Sequence, residues 1–202
     1  MHRIVVTALI LGLSSLAHAA GDPEAGKAKA VACAACHGED GNSFVPNFPK
    51  LAGQGARYLE KQLADFQSGA RQDATMAGMV AALSEQDRWD LAAYFAAQPL
   101  QPGSSSADPD VLARGKKIYL GGDAHKGYPA CAGCHAPDGA GNAPAGWPSL
   151  RAQHPTYIVK QLNDFRSGAR ANDPNKMMRQ IAVQMSDADI EAVAEYIATL
   201  AP

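Results

Sequence analysis

The chain has 202 residues, 47% of them apolar and 19% charged, with a formal net charge of −2. That composition excludes wholesale disorder and collagen-like repetition. The near-neutral balance points to neither nucleic acid nor an anionic membrane surface as a partner.

Residues 1–19 read as a secretory signal. Arg3 supplies the positive start, residues 4–16 are largely apolar, and Ala17-His18-Ala19 offers a small-x-small cleavage site. The apolar run is short of the ~20 residues a membrane span needs, and no later stretch approaches that length. Cleavage leaves a chain that starts at Ala20 with a net charge of −3. In a bacterial source its destination is the periplasm.

Beyond the leader the signals are helical. Asp22-Pro23 sets an acidic cap before a proline suited to a first helical turn. Cys33-Ala34-Ala35-Cys36-His37 comes next, and Tyr58, Leu59, Leu63 and Phe66 then share one face at helical spacing. Ser84 and Asp87 resemble a capping box ahead of a closing helix that carries Leu91 and Phe95. Residues 99–107 hold two prolines, a glycine and three consecutive serines, the composition of an exposed linker. So short a segment reaches at most ~30 Å, which keeps the flanking units close.

Past the linker the chain repeats itself. Asp108-Pro109 restates the first cap, and Cys131-Ala132-Gly133-Cys134-His135 restates the cysteine motif at an offset of 98. Residues 48–71 match 147–170 at an offset of 99, with 13 of 24 pairs identical, among them Tyr58 with Tyr157 and Arg71 with Arg170. The offset then settles at 102, which pairs Leu83-Ser84 with Met185-Ser186 and Tyr94 with Tyr196. The chain is a tandem duplication. Its units are residues 20–98 and 108–202, each a small bundle of three to four helices, and the fold class is all-α. Units of this size have marginal cores and gain from a tightly held apolar cofactor.

Aromatics make up 6% of the chain, and its four cysteines are too few for a disulfide scaffold, so their spacing decides their use. Cys-x-x-Cys-His is the attachment signature of c-type haem. Two thiols on one helical turn add to the two haem vinyl groups, and the histidine shares their face and offers its imidazole to the iron. A thioredoxin-like dithiol needs a βαβ context that is missing. A zinc site usually spaces its cysteine pairs by ~15–20 residues, whereas 94 separate Cys36 from Cys131. Cys33, Cys36, Cys131 and Cys134 thus attach two haems, with His37 and His135 as the proximal ligands.

Elimination supplies the sixth ligands. Outside its motif the first unit has no histidine, and its soft donors are Met76 and Met79. The second offers Met177, Met178, Met185, His125 and His154. At the 102 offset only Met76 and Met178 are methionine in both units, so these are the axial ligands, while Met79 and Met185 are assigned to core packing. His154 reads as a surface histidine, and His125 lies in an insertion at 121–129 that the first unit lacks. His/Met ligation raises the haem potential and fills all six positions, which suits electron transfer and not bond-making. The carbonyls of Pro49 and Pro148 are candidates to orient the imidazoles, although both prolines are equally readable as turn residues. Arg71 and Arg170 are readable either as propionate partners or as exposed loop arginines.

These residues resemble the diheme cytochrome c4 family. The resemblance rests on Cys-x-x-Cys-His-Gly-x-Asp-Gly-Asn at 33–42, the Phe48-Pro49-Lys50-Leu51-Ala52-Gly53-Gln54 segment, Lys61-Gln62-Leu63 with Asp65-Phe66, and a methionine ahead of each closing helix. It covers essentially the whole chain after the leader. It implies two tandem class I cytochrome c domains and two haems packed towards each other across a pseudo-twofold interface. It also implies a periplasmic carrier, sometimes loosely membrane-associated, between a quinol-oxidising complex and terminal oxidases or reductases. The second unit departs mildly, with Ala136-Pro137 after its histidine and Trp147 in place of Phe48. Residues 20–98 carry a net −3 and residues 99–202 none, an asymmetry able to orient docking. No catalytic arrangement is evident. The alternatives are a haem subunit of an oxidoreductase complex, such as a sulfide or alcohol dehydrogenase, and a diheme enzyme such as a peroxidase or thiosulfate dehydrogenase.

Overall fold

The computed structural model describes residues 21–202, so the leader lies outside the described residues. The first unit holds α1 (Pro23–Ala30), α2 (Ala34–His37), α3 (Ala56–Ser68), α4 (Ala74–Val80) and α5 (Glu85–Ala96). The second holds α6 (Pro109–Gly121), α7 (Ala132–His135), α8 (Pro155–Ser167), α9 (Met177–Ala182) and α10 (Asp187–Thr199), with a 3-10 turn at Pro174–Lys176 ahead of α9. Each unit therefore has more helices than the three to four expected. The extra ones are single turns at the Cys-x-x-Cys-His motif, too short to show a periodicity of their own. Among the described residues, β-structure is limited to two isolated bridges inside the second unit.

The caps follow the sequence with one exception. The Asp22 carboxylate accepts the N–H groups of Glu24 and Ala25, and Ser84 with Asp87 and Ser186 with Asp189 form full capping boxes. Asp108 stands at the N-cap of α6 but makes no side-chain cap bond.

In each unit the first and last helices cross at a glycine. A Cβ added to Gly26 would lie 2.0 Å from the Asp90 carbonyl oxygen, and one added to Gly115 would lie 2.0 Å from that of Ala192. Only glycine permits so close a crossing. A buried carboxylate then clasps each pair. Asp90 accepts from the Asp22 N–H at 2.9 Å and from Lys29 Nζ at 2.8 Å. In the second unit Asp189 takes Arg114 at 2.6 Å and also pairs with Lys126 of the insertion. These contacts hold the Asp90 carboxyl down at about 2 and the Asp189 carboxyl well below the usual range.

The buried core of the first unit is small: Ala30, Leu59, Leu91, Ala92 and Phe95. That of the second is larger and includes Ile118, Tyr119, Ile158, Ile190, Val193 and Ile197. Met185 belongs to it, as expected, whereas Met79 stands outside the core cluster of its own unit. Residues 99–107 are tied to both units and do not form a free tether. The side chain of Asn42 bonds Pro99 O and Gln101 N, and Lys50 Nζ donates to the carbonyls of Gln101 and Pro102. On the other side, Ser105 Oγ donates to Glu195 at 2.5 Å.

Candidate haem centres

The short turn α2 presents His37 between its two cysteines and the chain that follows, and α7 does the same for His135. Both histidines are buried, 7% and 8% exposed. Their Nδ1 atoms stand 2.9 Å from the carbonyl oxygens of Pro49 and Pro148, so the two prolines supply the orienting acceptors in both units. An Nδ1–H donated there leaves Nε2 as the lone-pair nitrogen, and Nε2 makes no hydrogen bond in the described residues. Burial lowers the pKa of both imidazoles, with the proline carbonyls opposing it, and so favours the neutral form that ligates a metal.

The surroundings of the first cysteine in each motif are unlike those of a redox dithiol. Burial pushes the Cys131 thiol up to about 11 and raises that of Cys33, whereas disulfide oxidoreductases depress theirs. Among the described residues no three His, Cys, Asp or Glu side chains converge on a metal position, which leaves the zinc reading without a site.

All eight residues singled out by the sequence line one cavity of about 1380 Å³: Cys33, Cys36, His37 and Met76 from the first unit, and Cys131, Cys134, His135 and Met178 from the second. That exceeds the ~300–1,000 Å³ of an ordinary single-ligand pocket. Its walls are largely apolar, with Phe48, Leu51, Leu59 and Phe95 on one side and Trp147, Leu150, Ile158 and Ile197 on the other. Cysteine pairs, free Nε2 atoms, thioethers and apolar walls together fit two covalently held haem groups. Met79 and Met177 also reach the cavity, while His125 is exposed and does not line it.

The two halves of the cavity meet across an interface with near-twofold symmetry. Gln54 brackets the backbone of Ser149, donating to its carbonyl and accepting its N–H, both at 2.9 Å. Gln153 brackets Lys50 in the same way, at 3.0 and 2.9 Å. Arg71 reaches Tyr157 at 3.0 Å and Gln161 at 2.7 Å, and Arg170 reciprocates with Tyr58 at 3.1 Å and Gln62 at 2.9 Å. Each arginine also stacks on a phenylalanine of its own unit, Phe66 or Phe165, at 4.6 and 4.4 Å. Arg71 and Arg170 are thus buried cross-domain anchors, and the exposed-loop alternative is wrong for both.

His154 likewise differs from the surface reading. It is half-buried, and its Nε2 lies 2.9 Å from the Ser43 carbonyl of the other unit. In the sequence Gln54 and Gln62, with their counterparts Gln153 and Gln161, carried no role, and Tyr58 was read only as part of an apolar helix face. For the glutamines the signal was present, because both pairs are identities inside the repeated block that helical periodicity does not require.

Comparison with known proteins agrees with this architecture. The Cytochrome c family model matches residues 23–98 and 112–201. Cytochrome c4 of Pseudomonas aeruginosa is 53% identical over 199 residues, covering 98% of both chains. The crystal structure of reduced recombinant cytochrome c4 from Pseudomonas stutzeri superposes with a TM-score of 0.87 at 49% identity, covering 90% of this chain and 100% of that one. A protein of Stutzerimonas stutzeri named thiosulfate dehydrogenase electron acceptor is 42% identical over 176 residues, covering 85% of this chain and 80% of the relative. The chain belongs to the cytochrome c family, as a diheme electron-transfer cytochrome of the c4 type with two covalently bound haem c groups, one at Cys33 and Cys36 and one at Cys131 and Cys134.

Proposed function

We propose that this chain is an exported, periplasmic electron carrier that takes electrons from a quinol-oxidising complex and delivers them to a terminal oxidase or reductase. In this reading residues 1–19 are removed as a signal peptide, and units 20–98 and 108–202 are joined by the linker 99–107. His37 and Met76 are the axial ligands in the first unit, His135 and Met178 those in the second. The observation that carries the reading is the doubling: in both units a carbonyl-tethered, buried histidine, a cysteine pair and a methionine face one shared cavity.

A haem c held at each position supplies a one-electron couple, with a potential that methionine raises relative to nitrogen donors alone. The chain's own residues do the rest. Pro49 and Pro148 fix the imidazole orientation, the apolar walls exclude water, and the glutamine and arginine contacts keep the two chambers joined. We assign no catalytic residue. No helix of the described residues is long and apolar enough to cross a membrane, and the reading allows loose association with its surface.

A second reading is favoured by the 42% identical relative named as an electron acceptor of thiosulfate dehydrogenase. In it the chain serves as the haem partner or subunit of a periplasmic oxidoreductase, such as a sulfide or alcohol dehydrogenase. Stable co-purification with a flavin- or quinone-dependent protein supports that reading, and its absence supports the free carrier.

The test is the ferric optical spectrum, with the sulfur-to-iron charge-transfer band quantified per haem. Two bands per chain are expected, and Met76→Ala and Met178→Ala should each remove one and lower that haem's potential. A variant that keeps both bands overturns the ligand assignment. Cell fractionation and N-terminal sequencing check the location and the start at Ala20.

A further inference from the structure

The two units deliver their methionines on differently built segments. In the first, Asp73 caps α4, and its carboxylate accepts the N–H of Met76 at 3.0 Å. Met76 is the third residue of that helix, so the cap bond fastens the methionine's own backbone. In the second, Asp173 reaches past the methionine. One carboxylate oxygen accepts the N–H of Arg179 at 3.0 Å and the other accepts Arg179 Nε at 2.7 Å. Arg179 is the third residue of α9, which leaves Met178 one position short of the cap bond.

The longer segment between Asp173 and α9 is taken up by the 3-10 turn, where Asn175 (φ 54) and Lys176 (φ 58) both adopt left-handed backbone. Asparagine tolerates that region, but for lysine the Cβ makes it unfavourable. Pro174, Asn175 and Lys176 are all exposed, so no packing compensates, and Lys176 gives α9 no side-chain cap. The strap is held from its base. The Asp173 carboxylate is only 3% exposed and forms the ion pair with Arg179, whose guanidinium also donates to the Ala171 carbonyl at 3.1 Å. The corresponding segment of the first unit, residues 72–76, contains no left-handed residue.

Opening the second strap therefore releases backbone strain, whereas opening the first breaks a cap and releases none. We propose that the second unit is a binding site for small neutral diatomic ligands of the carbon monoxide class, entered by displacement of Met178, and that Met76 resists the same displacement. The exchange replaces one donor lone pair by another at the same position, with no electron or proton transferred. The inference rests on the axial roles given above to Met76 and Met178.

The experiment is a carbon monoxide titration of the reduced, full-length diheme protein, read optically and by stoichiometry, together with the ferric charge-transfer bands. The wild type should bind one carbon monoxide per chain. Lys176→Gly relieves the left-handed strain and should weaken that binding about fivefold, the net of the strain removed and the flexibility added. Asp173→Asn loosens the clasp and should strengthen it. Met178→Ala should remove one charge-transfer band and leave binding at one per chain, now tight. Met76→Ala should raise the stoichiometry to two. If Met178→Ala keeps both bands, the ligand assignment fails and this proposal fails with it. If Met178→Ala removes a band while the wild type binds no carbon monoxide, or two per chain, or if Lys176→Gly binds as the wild type does, the ligand assignment stands and the strap proposal is overturned.

Discussion

Replacing Ala136 by glycine should stabilise the second domain. Ala136 follows His135 and has φ 65 and ψ 155, and its counterpart Gly38 has φ 80 and ψ 155. That region is essentially confined to glycine, and an alanine held there stores about 1–3 kcal/mol. It is held because the buried Tyr119 hydroxyl donates to the Ala136 carbonyl at 2.8 Å and the Gly139 N–H donates to it at 3.1 Å. Glycine removes the strain but adds about 0.5–1 kcal/mol of chain entropy in the unfolded state. The net is a gain of about 1 kcal/mol, or a rise of roughly 4–8 °C in the melting temperature of a domain this size. Scanning calorimetry of the full-length holoprotein, with the two domain transitions resolved, measures it. The mirror variant Gly38→Ala imposes the same backbone cost and adds a Cβ 3.0 Å from the Asn42 carbonyl oxygen, so it should destabilise the first domain. An Ala136→Gly protein that melts with or below the wild type refutes the reasoning, and a neutral Gly38→Ala refutes it independently.

Three further predictions follow from the packing. Gln54→Ala strips both bonds from the Ser149 backbone and should cost about 1–3 kcal/mol, seen in calorimetry as domain transitions that separate from each other. Asp90 carries a carboxyl held at about 2, against 3.8 unperturbed, chiefly by Lys29. Its folded value is depressed, so its stabilisation is complete above pH 4 and fades as the pH falls towards 2. Asp90→Asn should accordingly lower the melting temperature at neutral pH and flatten its decline between pH 5 and 2, whereas parallel curves for variant and wild type would exclude this role. Gly26→Ala would drive a Cβ to 2.0 Å from the Asp90 carbonyl oxygen and force α1 off α5. A loss of about 1–3 kcal/mol or more in denaturant unfolding is the expected result.

The haem motifs, the duplication and both capping boxes were legible because each depends on residues a few positions apart. Two cysteines and a histidine must share one turn to reach one porphyrin, and a serine must sit three residues from the N–H it caps. The pairing of Met76 with Met178 came from the repeat, since only these two methionines recur at one offset. The roles of Arg71, Arg170, Gln54 and Gln153 were not legible, because their partners lie about a hundred residues away and are chosen by a symmetry axis that no local pattern encodes. Met79, read as core packing because the repeat gives it no methionine counterpart, lines the cavity, a wall that no local pattern separates from ordinary core.

By itself, then, the sequence established an all-α tandem duplication built to carry two haems, together with the residue types offered to each iron. Covalent attachment chemistry and helix periodicity act over one or two turns, so they are written in spacing. The tertiary structure decided that the two haem chambers form one cavity, that reciprocal glutamine and arginine contacts join the domains, and that His154 belongs to this interface. It also decided where strain is stored: all four left-handed non-glycine residues among the described residues, Ala136, Ala152, Asn175 and Lys176, lie in the second domain. Ala136 is held by hydrogen bonds to its carbonyl, and Asn175 and Lys176 by the turn that joins Asp173 to α9, and so the two copies of one sequence pattern become physically different sites.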